Sequence, residues 1–289
     1  MELIIGTHVF FANEQLYGAT KEAASYGSNT FMIYTGSNQS SYRTNIDADL
    51  TNKAHILMKE NNIDINNVRV HAPFIVNLAN NKDGRKYNFY ITFMKSEINR
   101  CKELGLKNLI FHPGSKLDLS TEEALDNIIY GINIIMKDIA GFTLIIEFMS
   151  GKGSEVGSNI DELSYIFDNV NCKEKLGVCL DTCHMNDSGI DLKNFDSFLD
   201  EFDTKIGIDK IKCIHVNDSL NEIGFKKDRH ANIGYGTIDF NTLIDVIYNK
   251  RISNIPKILE TPFVNSKPPY KYEIESIKNK TFKDFIPNL

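Results

Sequence analysis

The chain has 289 residues, 42% of them hydrophobic, which suits one α/β domain with a large buried core. Its net charge of −6 by itself argues against a nucleic-acid partner, because phosphates are bound mainly by Lys and Arg. The first residues do not form a signal peptide, and no run approaches the roughly 20 apolar residues of a membrane span. We therefore expect a cytoplasmic protein with no membrane partner. Its five cysteines form no C-x-x-C pair, which predicts reduced, buried thiols.

Short β-rich runs alternate with longer segments of helical period along the chain, a pattern typical of a parallel sheet built from βα units. The predicted strands are Leu3–Gly6, Thr30–Tyr34, Val68–His71, Asn108–Phe111, Thr143–Ile146, Leu176–Leu180, Lys210–Ile214 and Lys257–Leu259. Eight such units favour a closed (β/α)8 TIM barrel over an open sheet. We predict a single domain over residues 1–289, with a short C-terminal extension from about residue 263, where prolines precede a lysine-rich stretch.

The clearest predicted helix begins after Ser120, where Ser120-x-x-Glu123 forms a capping box ahead of an apolar periodic run, and Gly141 is predicted to end it. Two more amphipathic patterns predict helices, namely Tyr90, Phe93, Met94, Ile98 and Cys101, and Phe195, Phe198, Leu199 and Phe202.

Imidazoles and carboxylates end or follow six of the predicted strands. These residues are His71, His112, Glu147, Asp181 with His184, His215, and Glu260, and Asp228 and His230 lie on the loop after the seventh strand. In a barrel of this kind the chemistry lies at the C-terminal ends of the strands, so we expect these nine side chains to meet on one face.

Neutral imidazole nitrogen and carboxylate oxygen are ligands that zinc prefers. Nine ligands are too many for one ion, which takes about four, but they suit three ions that share a bridging carboxylate. Three divalent ions would add six positive charges and offset the net charge of −6. A single histidine at a strand end is more often structural, but five of the seven histidines lie at or just after strand ends. Of the other two, His55 is predicted on a solvent face, and His8 either lines the substrate face or is structural.

Four motifs resemble the endonuclease IV family, in the order that the family has them, and the resemblance runs from Gly6 to Pro262. They are Phe111-His112-Pro113-Gly114-Ser115, the segment 177–184, His215-Val216-Asn217-Asp218-Ser219 and the segment 228–234. The resemblance implies a monomeric repair enzyme acting on double-stranded DNA. It would cut the phosphodiester bond 5′ to an abasic site, leaving a 3′-hydroxyl and a 5′-deoxyribose phosphate, and would remove blocking groups from 3′ ends.

The resemblance also implies three zinc ions per chain, with manganese able to replace zinc at oxygen-rich sites. The first ion would be held by His71, His112 and Glu147. Glu147 would bridge to a second ion, held also by Asp181, His215 and Glu260, and the third would be held by His184, Asp228 and His230. A hydroxide between the first two ions would attack the phosphorus, with Glu147 orienting it as the catalytic carboxylate, and the third ion would stabilise the leaving 3′ oxygen.

DNA contacts are predicted for Asn38, Gln39, Phe74, Lys152 and Arg229. Phe74 occupies a position that often holds tyrosine in the family, although packing in the core is an equal alternative. Two residues depart from the family pattern. Ser40 stands where some members have an arginine wedge, which leaves the wedge unassigned. Phe148 follows the bridging glutamate where a small or polar residue is common, so it either narrows the pocket or packs.

A metal-dependent sugar isomerase or epimerase with the same barrel is the alternative enzyme, because such enzymes also gather Glu, Asp and His at strand ends. They need one or two metals. The pair Asp228 and His230, together with His184, supplies a third site that sugar isomerisation does not require, which favours the nuclease.

Overall fold

The structure is a computed structural model that describes residues 2–288, so Met1 and Leu289 of the predicted domain lie outside the described residues. The strands are β1 Ile5–His8, β2 Thr30–Ile33, β3 Arg69–Val70, β4 Asn108–Phe111, β5 Thr143–Glu147, β6 Leu176–Asp181, β7 Ile211–Val216, β8 Asp218–Ser219, β9 His230–Ala231 and β10 Lys257–Leu259. The α-helices are α1 Gln15–Ser25, α2 Ala48–Glu60, α3 Arg85–Glu103, α4 Thr121–Met136, α5 Ile160–Asn169, α6 Thr182–Ser188, α7 Phe195–Lys205, α8 Phe240–Ile247 and α9 Tyr270–Asn279.

Eight parallel strands form the predicted (β/α)8 barrel. Their order is β3-β2-β1-β10-β7-β6-β5-β4, and the two ends of this sheet meet where His71 pairs with Ile110. The backbone N–H of Ala72 donates to the carbonyl of Ile110 at 2.7 Å, which helps to close the barrel. The fold class inferred from the sequence is therefore confirmed, and all polar strand ends lie on one rim.

The predicted strand positions agree with the structure to within two residues, with one addition. β1 runs to His8 and β7 runs to Val216, two residues beyond the predicted ends, because polar residues there still pair with neighbouring strands. The short antiparallel ribbon of β8 and β9 was not predicted. Each of its strands is two residues long, which is too short to show a period in the sequence.

The core has two layers. Inside the barrel, one residue from each of six strands forms a small cluster, Met32, Ile110, Ile145, Cys179, Cys213 and Ile258. A larger apolar layer lies between the sheet and the helices and includes the predicted apolar faces of α3, α4 and α7. All five cysteines are free and buried, as predicted.

Helix α4 shows how local signals set an element. Ser120 and Glu123 form the predicted capping box, with both reciprocal hydrogen bonds present. The helix ends at Met136, however, so the prediction that Gly141 ends it was wrong. Gly141, with φ of +66°, instead turns the chain toward β5, a backbone conformation that suits glycine.

Residues after Pro262 carry helix α9, which places Ile274 and Ile277 in the core and leaves several lysines outside. Within residues 2–288, no helix is both long enough and apolar enough to cross a membrane.

Candidate metal centre

Nine imidazole and carboxylate side chains meet at the C-terminal rim of the barrel. Glu147 and Asp181 end β5 and β6, and His215 lies one residue before the end of β7. The others lie on the segments that follow strands: His71, His112, His184, Asp228 and Glu260, with His230 on β9. Ligand atoms from these residues form overlapping groups with spacings below 4.8 Å, or ion pairs below 4.0 Å. The structure thus brings all nine predicted ligands into one cluster.

Glu147 lies at the centre of the cluster and is 1% exposed. Its Oε2 is 2.8 Å from His71 Nε2 and 3.4 Å from His112 Nε2. Its Oε1 is 3.3 Å from His184 Nδ1 and 3.4 Å from His215 Nδ1. Oε2 therefore faces the ring nitrogens of His71 and His112, whereas Oε1 faces that of His215, which is the geometry of a carboxylate able to bridge two ions.

A second group contains Glu147, Asp181, His215 and Glu260. One ligand atom from each lies within 4.8 Å of the other three. His215 Nδ1 is 3.0 Å from Glu260 Oε2 and 3.8 Å from Asp181 Oδ2. Four donors this close suit a four-coordinate ion with donor distances of about 2.0–2.2 Å.

A third group forms where the loop after β8 approaches α6. Asp228 Oδ1 is 3.2 Å from His184 Nε2 and 3.5 Å from His230 Nε2. Asp181 Oδ2 is 3.8 Å from His230 Nε2, so Asp181 borders this group as well as the second. The family resemblance had implied that Asp181 belongs to the second group alone.

Contacts with backbone carbonyls orient two of these imidazoles. His71 Nδ1 lies 2.7 Å from the carbonyl of Ala72, and His184 Nδ1 lies 2.9 Å from the carbonyl of Phe148. An N–H donated to each carbonyl leaves the Nε2 lone pair for the cluster. Both ring nitrogens of His215 and Nε2 of His230 are buried and make no well-aligned hydrogen bond within the described part of the chain, although His215 Nδ1 lies 3.0 Å from a carboxylate oxygen of Glu260. Because such atoms are costly when unsatisfied, they fit a site that holds metal ions.

The carboxylates and imidazoles shift each other's pKa. Burial raises the pKa of Glu147, but His215 and His112 hold it well below its usual range. Burial lowers the pKa of His184, but Asp181, Asp228 and Glu147 raise it well above the usual value. The cluster therefore holds ionised carboxylates that attract cations, and a divalent ion would displace the protons from the imidazoles.

Asn217 is a buried residue of the site that the sequence analysis did not single out. Its Nδ2 donates to Asp181 Oδ2 at 2.8 Å, and its Oδ1 accepts the backbone N–H of Glu260 at 3.0 Å. Asp181 Oδ1 in turn accepts the N–H of His184 and caps α6. The available signal was its position two residues after His215, on the same face of the extended chain.

Cys183 is buried, as predicted, but it also lies beside the third group. Its Sγ is within 4.8 Å of ligand atoms of Asp228 and His230. Burial and the carboxylates of Asp181 and Asp187 raise the pKa of this thiol. Because the thiolate is the form that binds metal, an ion bound by Cys183 would first have to displace this proton.

A cavity of about 370 Å³ opens beside the cluster and is lined in part by Phe74, His112, Lys152 and Asp228. Lys152 Nζ lies 3.5 Å from Asp228 Oδ2. Phe74 is 50% exposed, and its ring centroid is 5.2 Å from that of His112. Phe74 therefore does not pack in the core, and both it and Lys152 border the ligands directly.

The other predicted DNA contacts lie on neighbouring loops. Gln39 and Arg229 are exposed, whereas Asn38 is half-buried and its carbonyl accepts the N–H of Phe74 at 3.0 Å. The arginine nearest to Ser40 is Arg43, whose side chain is buried in an ion pair and is therefore not free at this surface.

The structure decides between the alternatives that the sequence left open for Phe148 and for His8. Phe148 is fully buried and packs edge-on against Phe198 at 6.0 Å, so it packs in the core and does not narrow the cavity. His8 lines a second cavity, of about 300 Å³, together with Phe10, Tyr34 and Asn38, so it lies on the ligand-bearing side of the barrel. The prediction for His55 was incomplete, because its Nε2 lies 2.9 Å from the carbonyl of Leu104, a structural contact.

Comparisons with known proteins agree on a family. The family described as a xylose isomerase-like TIM barrel matches residues 20–280. The protein named "Probable endonuclease 4" of Mycoplasma mycoides subsp. mycoides SC is 46% identical over 283 residues, which cover 97% of this chain and 98% of that protein. The protein of the same name from Ureaplasma urealyticum serovar 10 is 48% identical over 292 residues, covering 98% of this chain and 95% of that protein.

A solved structure supports the fold. The crystal structure of endonuclease IV from Thermus thermophilus matches with a TM-score of 0.81 and 24% identity, covering 95% of this chain and 97% of that chain.

Proposed function

The chain belongs to the endonuclease IV family, and from that premise we propose that it is a DNA-repair nuclease acting on abasic sites. It cuts double-stranded DNA on the 5′ side of the abasic site, leaving a 3′-hydroxyl and a 5′-deoxyribose phosphate, and it trims blocked 3′ ends. The observation that carries the proposal is the cluster of nine ligands at the barrel rim, in a chain whose curated relatives are named endonuclease 4. A monomeric state and a cytoplasmic location stay predictions.

The proposed metal centre holds three zinc ions, with manganese as a substitute. His71, His112 and Glu147 hold the first ion, and the second group of four, which shares Glu147, holds the second. His184, Asp228 and His230 hold the third ion, with Asp181 beside it. Five neutral imidazoles and four carboxylates carry four negative charges, which three dications would more than balance.

When bound, the ions would supply Lewis acidity toward phosphate oxygens and would lower the pKa of a water molecule. The protein's own side chains would position the water molecule and the phosphate. Glu147 has Oε2 toward His71 and Oε1 toward His215, so it can orient a water molecule between the first and second groups. Lys152 sets a positive charge 3.5 Å from the Asp228 carboxylate, where it can meet a phosphate as the DNA strand enters.

Recognition of the abasic nucleotide falls to the loops around the cluster. Phe74 offers an exposed aromatic face beside His112, suited to stack against an extruded sugar. Asn38, Gln39 and Arg229 lie on loops at the same rim, where they can contact the strands. This arrangement concentrates DNA contacts near the metals, although the whole chain is acidic.

The proposal is tested by incubating the purified protein with a 5′-labelled duplex that carries one abasic analogue, and with the matched intact duplex. We expect incision of the abasic duplex alone, with a product that ends in a 3′-hydroxyl. Glu147→Gln keeps the size of the side chain but removes its charge, and should lower the rate at least about 100-fold. Glu123→Gln, on an exposed helix cap, is the matched control and should retain the wild-type rate. Turnover of an aldose or ketose with no incision would instead establish the sugar-isomerase alternative.

A further inference from the structure

Asp187 is a fully buried carboxylate that none of the roles above uses. It lies on α6, one helical turn after His184. It accepts five hydrogen bonds, from Ser219 Oγ at 2.7 Å, Asn186 Nδ2 at 3.2 Å, Asn221 Nδ2 at 3.0 Å, Lys227 N at 3.1 Å and Asp228 N at 2.7 Å. Four of these donors belong to β8 or to the loop between β8 and β9, so one side chain fixes much of that loop.

The loop needs such an anchor, because its backbone is strained beside Asp228. Lys226 and Asp228 both have φ of +54°, a left-handed conformation that is unfavourable for a residue other than glycine. The backbone N–H of Lys226 donates to the carbonyl of Asp187 at 2.9 Å, and the N–H of Asp228 donates to its carboxylate. Both strained residues are thus held by hydrogen bonds to Asp187.

The position of Asp187 links two proposed ligands of the same ion. His184 and Asp187 lie on one short helix, and Asp187 holds the backbone of Asp228, so the separation of His184 and Asp228 depends on this carboxylate. The result is the 3.2 Å approach of Asp228 Oδ1 to His184 Nε2. The side chain of Asp228 is 24% exposed, whereas those of Asp181 and His215 are 0% exposed, so the third group has less surrounding packing to hold it.

We propose that Asp187 is a positioning residue that assembles the third metal site, by fixing the loop between β8 and β9 so that Asp228 faces His184. The inference rests on the proposed function, since it assumes that these side chains hold an ion. Asp187 is fully buried and is not one of the nine proposed ligands. Its loss should therefore weaken one ion selectively and leave the first and second sites filled.

The test compares zinc bound per chain in the wild type, Asp187→Ala, Asp187→Asn and Glu97→Gln, after gel filtration and during competition with a chelator. Loss of a residue that orients a ligand typically weakens metal binding about 10–100-fold. We expect three zinc ions in the wild type and two in Asp187→Ala, with the third restored by excess zinc. Asp187→Asn should bind the third ion with intermediate affinity, because its amide oxygen still accepts the backbone N–H groups.

Glu97→Gln is the matched control, because it alters another fully buried carboxylate that holds a loop but lies outside the ligand cluster. It should be less stable yet retain three ions, which separates positioning from general loss of stability. If Asp187→Ala does not fold, Ser219→Ala removes one of the five hydrogen bonds and should release the third ion faster than the wild type does.

Equal zinc content and equal chelator sensitivity in Asp187→Ala and the wild type would overturn the inference, whatever the wild-type content. In an Asp187→Ala protein that fails to fold, unchanged zinc release from Ser219→Ala would overturn it as well. The proposed function is judged separately, by whether the wild type cuts the abasic duplex.

Discussion

The buried ion pair between Arg43 and Glu97 holds the loop that follows β2. Arg43 Nε is 2.8 Å from Glu97 Oε1, and the side chains are 8% and 0% exposed. Glu97 Oε2 accepts the hydroxyl of Thr35 at 2.8 Å. Replacing Glu97 by glutamine removes the negative charge and leaves the guanidinium of Arg43 buried without a counter-charge. We predict that Glu97→Gln lowers the free energy of unfolding.

Removing one partner of a buried ion pair typically costs about 3–5 kcal/mol. Glutamine retains an oxygen that can accept one of the two hydrogen bonds, so the lower end, about 3 kcal/mol, applies here. At about 2–4 °C per kcal/mol for a domain of this order of size, the melting temperature should fall by roughly 6–12 °C.

The assay is urea unfolding and thermal melting followed by circular dichroism. Arg43→Met in the Glu97→Gln background removes the unpaired charge and keeps a long side chain near Phe93, whose ring centroid is 5.1 Å from the guanidinium carbon. The double variant should therefore be more stable than Glu97→Gln alone. Arg43→Met is measured alone as the second single variant. An unchanged melting temperature in Glu97→Gln would show that the ion pair contributes no stability, and a double variant whose loss equals the sum of the two single losses would show that Arg43 and Glu97 are not coupled.

Two further predictions concern pH and close backbone packing. Burial raises the pKa of Glu273 from 4.5 to about 7, so the folded state favours the protonated carboxyl group. The contribution of this group to the free energy of unfolding is therefore fully present below pH 4.5 and is lost as the pH rises through 7. Urea unfolding should show wild-type stability falling by about 3 kcal/mol relative to Glu273→Gln between pH 4.5 and 8, and a constant difference would contradict this. Gly6→Ala would drive a Cβ into the carbonyl oxygen of Thr30 on the paired strand, so little folded protein should be recovered, and a wild-type yield and melting temperature would count against it.

Most barrel strands could be predicted from the sequence because they contain a short apolar run that is buried on both faces, as in Leu144–Ile146. Their boundaries were harder to predict where polar residues end the strand. β1, for example, continues past the predicted end at Gly6 through Thr7 and His8, which do not extend its apolar run. The ribbon of β8 and β9 depends on pairing between residues 218 and 231, and no local pattern in two-residue strands reports such a contact.

The sequence could predict that the nine candidate ligands lie together, because parallel strands share one rim and the topology brings their ends to it. The residues that support the ligands were not predicted. Asn217 joins Asp181 to Glu260, and Asp187 joins α6 to a loop 40 residues away, through contacts that exist only after the loops pack. Both side chains are polar, and no local sequence pattern indicates their distant partners. Only the folded structure shows which groups they bind.

If the nine proposed ligands form one metal centre that cuts DNA, incision must depend on zinc. Metal-free protein would be titrated with zinc while incision of the abasic duplex and bound zinc are measured on the same samples. Incision should appear as the cluster fills, reach its plateau at about three ions per chain, and stay at least about 100-fold slower in Glu147→Gln at every zinc level. Full incision by the metal-free protein, or none with all three ions bound, would contradict this prediction.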